Sequence, residues 1–186
     1  VVTDRLIYII MGSVRRNRLS PTIADWVAVL GKKTIPAVTF EIIDLRDWPL
    51  PMDAEPDIPA HSGYSTDETN AWSTKVSLAD AFVFVTPQYN WGYPAALKNA
   101  IDHLYREWCD KPAAIITYGG HGGGKCAAQL YQVLSGIKMH VVSEMPALTL
   151  AKSIIEANSG QIDASEAFAG QQSAVLRTLN ALVASI

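Results

Sequence analysis

Cysteine is nearly absent from this chain: Cys109 and Cys126 are the only two. Two thiols are too few for a disulfide framework, and no metal-ligand spacing surrounds them, so the pattern predicts reduced thiols in a cytoplasmic protein. No stretch approaches the ~20 consecutive apolar residues that cross a bilayer. Nor does a basic segment lead into a short apolar one in the manner of a secretion signal. Positive charge is in deficit, with 15 Lys and Arg against 18 Asp and Glu and a formal net charge of −3. That balance gives no electrostatic reason to expect nucleic acid or an anionic membrane as a partner. Internal repeats and low-complexity tracts are missing too, and no nucleophile triad or paired carboxylates can be picked out.

What the chain does have is apolar sequence laid down in blocks. RLIYIIM (5–11), VTFEIIDL (38–45), AFVFVTP (81–87), PAAIITY (112–118) and MHVVSEM (139–145) are nearly continuous in apolar character. Strands buried on both faces read in this way. Between them apolar residues recur at helical spacing: Ile23, Val27 and Leu30; Leu97, Ile101, Leu104 and Trp108, in a helix expected over 95–108; Leu130, Leu134 and Ile137; and finally Val175, Leu179, Leu182 and Val183. Each set draws one stripe along a helix. The alternation predicts a single α/β domain over 1–186, a doubly wound, five-stranded parallel sheet with helices on both faces. The one long irregular stretch, 46–67, is stiffened by Pro49, Pro51, Pro56 and Pro59 and precedes a helix expected at 68–79; it reads as a surface flap.

Open parallel sheets bind ligands beyond the carboxyl ends of their strands, and three loops at such ends are unusual. After the first strand, Gly12–Ser20 reads GSVRRNRLS and is followed by Pro21. Ser20 suits an N-cap and Pro21 a first helical turn. The unpaired N–H groups of that helix, the hydroxyls of Ser13 and Ser20, and the guanidinium forks of Arg15 and Arg18 together make an anion site. After the third strand, Pro87-Gln88-Tyr89-Asn90-Trp91-Gly92-Tyr93-Pro94 offers aromatic faces and amides to a flat, partly polar ring. After the fourth, Tyr118 leads into Gly119-Gly120-His121-Gly122-Gly123-Gly124-Lys125, whose glycines let backbone approach a ligand closely. Gly119–Lys125 also fits GxxxxGK, the core of a triphosphate-binding loop, but Cys126 stands where Ser or Thr would ligate magnesium. His121, with no acidic partner placed by the sequence, is read as a contact residue and not as a general base.

Taken together, the G-S-x-R loop, the T-P-Q-Y-N segment and the Y-G-G segment resemble the NADPH-dependent FMN reductase family, flavodoxin-like proteins that include quinone, azo-dye and chromate reductases. The stretch PQYNWGYPAALKNAIDHLYREW (87–108) carries much of the likeness, which runs over roughly 1–145. The resemblance implies a flavodoxin-like fold with FMN as cofactor and NADPH as donor. It implies FMN phosphate contacts for Ser13, Arg15, Arg18 and Ser20. It places Pro87, Gln88, Tyr89 and Asn90 along the isoalloxazine edge, with Tyr118, Gly119 and Gly120 over the other end of the ring. Hydride would be carried by the flavin, so no catalytic side chain and no metal are implied. Members commonly form homodimers or homotetramers. Tyr105 and Trp108 exceed what one helical stripe needs, which suits an interface or a core equally.

The leading expectation is an FMN-dependent NAD(P)H oxidoreductase that reduces quinones, free flavin or similar two-electron acceptors. The alternative is a flavodoxin-type electron carrier without turnover of its own, whose phosphate loop would be rich in Thr, Ser and Gly rather than arginine. A nucleotide-dependent kinase using Gly119–Lys125 is a third.

Overall fold

The computed structural model describes residues 5–61 and 63–186. Strands β1 (Arg5–Met11), β2 (Val38–Asp44), β3 (Ala81–Pro87) and β4 (Pro112–Gly119) fall on the first four apolar blocks. All pair in parallel, in the order β2-β1-β3-β4 with the last strand position outside β4. Because successive side chains on a strand point to opposite faces, β1 feeds two cores at once. Ile7, Ile9 and Met11 pack with Ile23 and Val27 of α1 (Ser20–Thr34) and with Val175 and Leu179 of α7 (Gln172–Ala184). Tyr8 and Ile10 pack on the other face with α2 (Asp67–Ser77), α3 (Ala95–Asp102) and α4 (Gly124–Gly136) through Trp72, Leu97 and Leu130. The expected doubly wound arrangement is therefore present, a parallel sheet between two helical layers.

Chain order reverses between β1 and β3: one connection leads outward to β2 and the other to β4, so the loops leaving these neighbours diverge and open a crevice. Gly12 sits at that point. Its N–H donates to the Val85 carbonyl at 2.9 Å, and a Cβ there would lie 2.6 Å from Thr86 Oγ1, so only glycine lets the two strand ends run this close.

Three expectations change. The block 139–145 is not one strand. β5 (His140–Val141) and β6 (Ala147–Thr149) fill the fifth position in two pieces, both paired with β4. From Val141 to Ala147 the outer chain advances six residues while β4 advances four, from Ala113 to Thr117. Pro146 has no N–H to give a ladder, and the intervening segment is tied to α7 by Glu144, which pairs with Arg177 at 2.6 Å.

The helix expected over 95–108 stops at Asp102. His103 turns inward, with Nδ1 2.7 Å from Thr69 Oγ1 and Nε2 2.8 Å from the Pro51 carbonyl. Trp108 folds back so that its Nε1 donates to the Ile101 carbonyl at 3.1 Å. It is 1% exposed and packs edge-on to Phe82, so this aromatic belongs to the core and not to an interface. Finally, the N-cap of α1 is Leu19, not Ser20, and Pro21 is already inside the first turn. Two short helices, α5 (Lys152–Ala157) and α6 (Ala164–Ala167), have no counterpart in the sequence reading.

The flap is fastened at Glu55, whose carboxylate accepts from Ser65 N–H (2.7 Å), Thr66 N–H (3.1 Å) and Thr66 Oγ1 (2.8 Å). Desolvation pushes the Glu55 pKa up, but the hydrogen bonds from Ser65, Thr69 and Thr66 outweigh it and hold the pKa down at about 2. A folded pKa below the ordinary 4.5 means the stabilisation is complete above about 4.5 and is lost as pH falls toward 2. The difference in urea midpoint between the protein and its Glu55→Gln variant is accordingly expected to be constant above pH 4.5 and to shrink below it. A difference that grows on acidification would contradict this arrangement.

Candidate functional site

The loop after β1 is built around a buried cation. Arg18 donates to both carboxylate oxygens of Asp44, at the end of β2, and to the Ser13 carbonyl at 3.0 Å. Its guanidinium thus closes Gly12–Leu19 into a tight arch, and its Nε is buried with no partner. Arg46 steadies the outer side by donating to the Val14 carbonyl at 3.1 Å. Behind the arch, fully buried Ser13 pairs its hydroxyl with Tyr89 OH at 2.6 Å, and fully buried Ser20 pairs with Tyr118 OH at 2.7 Å. No side chain caps the start of α1, so its first N–H groups face the arch with the positive end of the helix dipole behind them. Arg15 is exposed, its guanidinium 3.6 Å from the centre of the Tyr89 ring.

The loop after β3 turns sharply. Tyr89 and Gly92 exchange backbone hydrogen bonds at 2.8 and 2.9 Å around Asn90 and Trp91, both at positive φ. Gln88 spans two loops, its N–H on the Tyr118 carbonyl at 2.9 Å and its Oε1 accepting from Cys126 N–H at 3.1 Å. That second bond caps α4. The glycines after β4 divide into two sets. Gly122 and Gly123 hold φ of +76° and +104°, and a Cβ on either would strike Ala147 or Thr117 within 2.8 Å. They serve close packing, while Gly119 and Gly120 remain at the crevice. With α4 capped by Gln88 and these two glycines packed against strand residues, the GxxxxGK stretch presents no phosphate cradle. Lys125 is exposed.

The three loops meet in a crevice of about 260 Å³. Arg15, Arg18, Pro87, Gln88, Tyr89, Tyr118, Gly119 and Gly120 all line it. Ser13 and Ser20 stand behind it, each hydrogen-bonded to a lining tyrosine, and Asn90 lies out on the exposed turn. The sequence reading missed the fourth wall, where Leu150, Ile154, Ile155 and Asn158 close the crevice, tied to the loop after β1 by Asn17 Nδ2 on the Asn158 carbonyl at 3.1 Å. No periodicity marks this segment; α5 buries no residue at all. None of the described flap residues lines the crevice.

Burial raises the pKa of Tyr118 well above the ordinary tyrosine value and pushes the Cys126 thiol up to about 12. Both keep their protons at neutral pH, and among the described residues no carboxylate, histidine or cysteine lines the crevice. Among the described residues no cluster of three metal-ligating side chains exists. The lining offers guanidinium, amide, phenol and backbone groups that suit binding and orientation. An uncapped helix start, a partnerless buried Arg18 Nε and an exposed arginine fit a phosphate; the Tyr89–Gly120 side, apolar and open to backbone approach, fits a flat ring.

Residues 6–152 match the family model described as NADPH-dependent FMN reductase. The chain is 55% identical over 151 residues to an NAD(P)H-dependent FMN reductase of Schizosaccharomyces pombe, covering 80% of this chain and 75% of that one. It is 49% identical over 148 residues to an NAD(P)H-dependent FMN reductase of Saccharomyces cerevisiae (72% and 75% covered) and 34% identical over 143 residues to an NADPH:quinone oxidoreductase of Arabidopsis thaliana (75% and 70% covered). Among solved structures, the flavoenzyme NAD(P)H:(acceptor) oxidoreductase FerB from Paracoccus denitrificans superposes with a TM-score of 0.70 at 23% identity, over 97% of this chain and 98% of that one.

Proposed function

The chain belongs to the NADPH-dependent FMN reductase family, and from that premise we propose that it is an oxidoreductase that holds FMN in the crevice and passes hydride from NAD(P)H to quinones, free flavin or similar two-electron acceptors. The observation that carries this reading is the convergence of the loops after β1, β3 and β4 on one crevice, with the arginine-bearing arch at one side and Tyr89, Tyr118, Gly119 and Gly120 at the other.

FMN supplies the hydride chemistry when bound. The chain's own residues bind and orient. Arg15 and the N–H groups at the start of α1 would take the phosphate, with Ser13 buried behind them and holding Tyr89. Arg18, fixed by Asp44, keeps the arch in shape and adds its charge, and Ser20 fixes Tyr118. Pro87, Gln88 and Tyr89 would run along the ring edge with Asn90 on the turn beyond them; the Gln88 and Tyr89 N–H groups are held by the Tyr118 and Gly92 carbonyls and so fix the shape of this wall. Tyr118, Gly119 and Gly120 cover the other end by backbone approach. Donor and acceptor would occupy the same place in turn, which predicts ping-pong kinetics. We also propose a cytoplasmic location, in keeping with two unpaired thiols. Assembly as a homodimer or homotetramer is supported by exposed Met52 and Ile58 beside a half-open cavity of about 520 Å³ against α3.

The decisive measurement is the absorption spectrum of the purified protein loaded with FMN. Oxidised-flavin bands that bleach on adding NADPH and return on adding a quinone are expected. Protein that takes up no flavin, or flavin that NADPH leaves oxidised, would overturn the assignment.

A further inference from the structure

Trp91 occupies a conformation that its side chain disfavours. The two-residue turn between Tyr89 and Gly92 holds Asn90 at φ +47° and Trp91 at φ +69°. Turns with two positive φ values favour Asn and then Gly, so the residue of least cost at position 91 is glycine. A bulky aromatic in the left-handed region is strained, and such strain persists only where the surroundings enforce it. Here they do: besides the paired Tyr89–Gly92 hydrogen bonds, Gln129 of α4 donates to the Trp91 carbonyl at 3.3 Å. Nothing is gained for the core in exchange. Trp91 is 56% exposed, whereas Trp26, Trp72 and Trp108 are at most 7% exposed.

The exposed indole is not randomly placed. It lies nearly parallel to the imidazole of His121, with ring centres 6.0 Å apart and planes 14° from each other. His121 is also exposed. Each ring comes from a different loop and directly follows crevice-lining backbone, Trp91 two residues after Tyr89 and His121 one after Gly120. Two parallel, solvent-facing π-systems thus mark the rim where the loops after β3 and β4 meet.

We propose that Trp91 and His121 form a stacking platform for a flat heteroaromatic or quinonoid ring that extends out of the crevice, and that Trp91 is a specificity-determining residue for ring-bearing reactants. This rests on the crevice being the reductase site. Stacking on an exposed indole is tolerant of ring chemistry, and two reactants of that site carry such a ring: the adenine of NAD(P)H and the body of an aromatic acceptor.

The test compares the FMN-loaded protein with its Trp91→Gly variant, which relieves the strained backbone and removes the ring. The Tm of the variant is expected to equal or exceed that of the parent. Its KM is expected to rise about tenfold for a reactant that uses the platform, with kcat within twofold. An NADPH-specific rise that is absent with reduced nicotinamide mononucleotide, which lacks adenine, assigns the platform to the donor; a rise for menadione assigns it to the acceptor. Ferricyanide, with no ring to stack, should be unaffected, and Trp91→Phe should restore most of the loss. A second readout needs no turnover: NADP+ or menadione should quench the part of the tryptophan emission that Trp91→Gly removes. Unmoved KM for both NADPH and menadione, or an equal rise for ferricyanide, overturns the platform. If the parent protein oxidises no NAD(P)H at all, it is the reading of the crevice that fails.

Discussion

Replacing Arg15 by alanine is expected to weaken FMN binding about 10- to 100-fold while leaving the flavin-free protein as stable as before. Hydrogen bonds to a charged group contribute about 1.5–3 kcal/mol, which corresponds to that range of affinity. Arg15 is exposed, and its side chain stacks over Tyr89 while its hydrogen bonds to Ser13 and Arg46 run through the backbone, so truncating the side chain removes little from the packing. Lysine at this position should recover the charge but not the fork, and with it only part of the affinity. Fluorescence titration of FMN, whose emission changes on binding, reads the effect directly. An Arg15→Ala protein that binds FMN as tightly as the parent would move the phosphate elsewhere in the crevice.

Asp44→Ala should behave in the opposite way, destabilising the fold by about 3–5 kcal/mol, because it strands a buried guanidinium. The side chain of Arg18 is 6% exposed, and two of its contacts end on Asp44. Asp44 also receives the Arg46 N–H at 2.9 Å, so the alanine variant loosens the arch and the start of the flap together. Removing both ions should cost less than removing one: Arg18→Met combined with Asp44→Ala is expected to regain a substantial part of the loss in urea unfolding. If the single and double variants unfold at the same denaturant concentration, the pair does not brace the loop as described.

These two arginines show where sequence reading reached its limit. Arg15 and Arg18 look alike in GSVRRNRLS, and both read as anion ligands. They differ because Arg18 faces the end of β2, and Asp44 becomes its neighbour only when β1 and β2 pair in register, Met11 against Asp44. A long-range partner of that kind leaves no local signal. The same holds for Gln88, whose side chain caps a helix 38 residues further on. Strands β1 to β4 were legible because burial on both faces writes unbroken apolar runs. The fifth block was misread because its apolar residues carry no mark of the two-residue slip at Pro146. The crevice could be located from three loops, since strand ends and glycines are local features, but its fourth wall could not. Ile154 and Ile155 sit on a six-residue helix with no buried face, and their place over the crevice depends on the distant Asn17.

The slip between β5 and β6 also bears on how copies of this chain can meet. An unbroken outer strand presents a ladder of free N–H and C=O groups to any other strand, the usual route to sheet extension and aggregation. Here that edge offers two residues, then an irregular segment tied to α7 through Glu144 and Arg177, then three more. A second molecule cannot continue the sheet across such a step, so association on this side must use helices and loops.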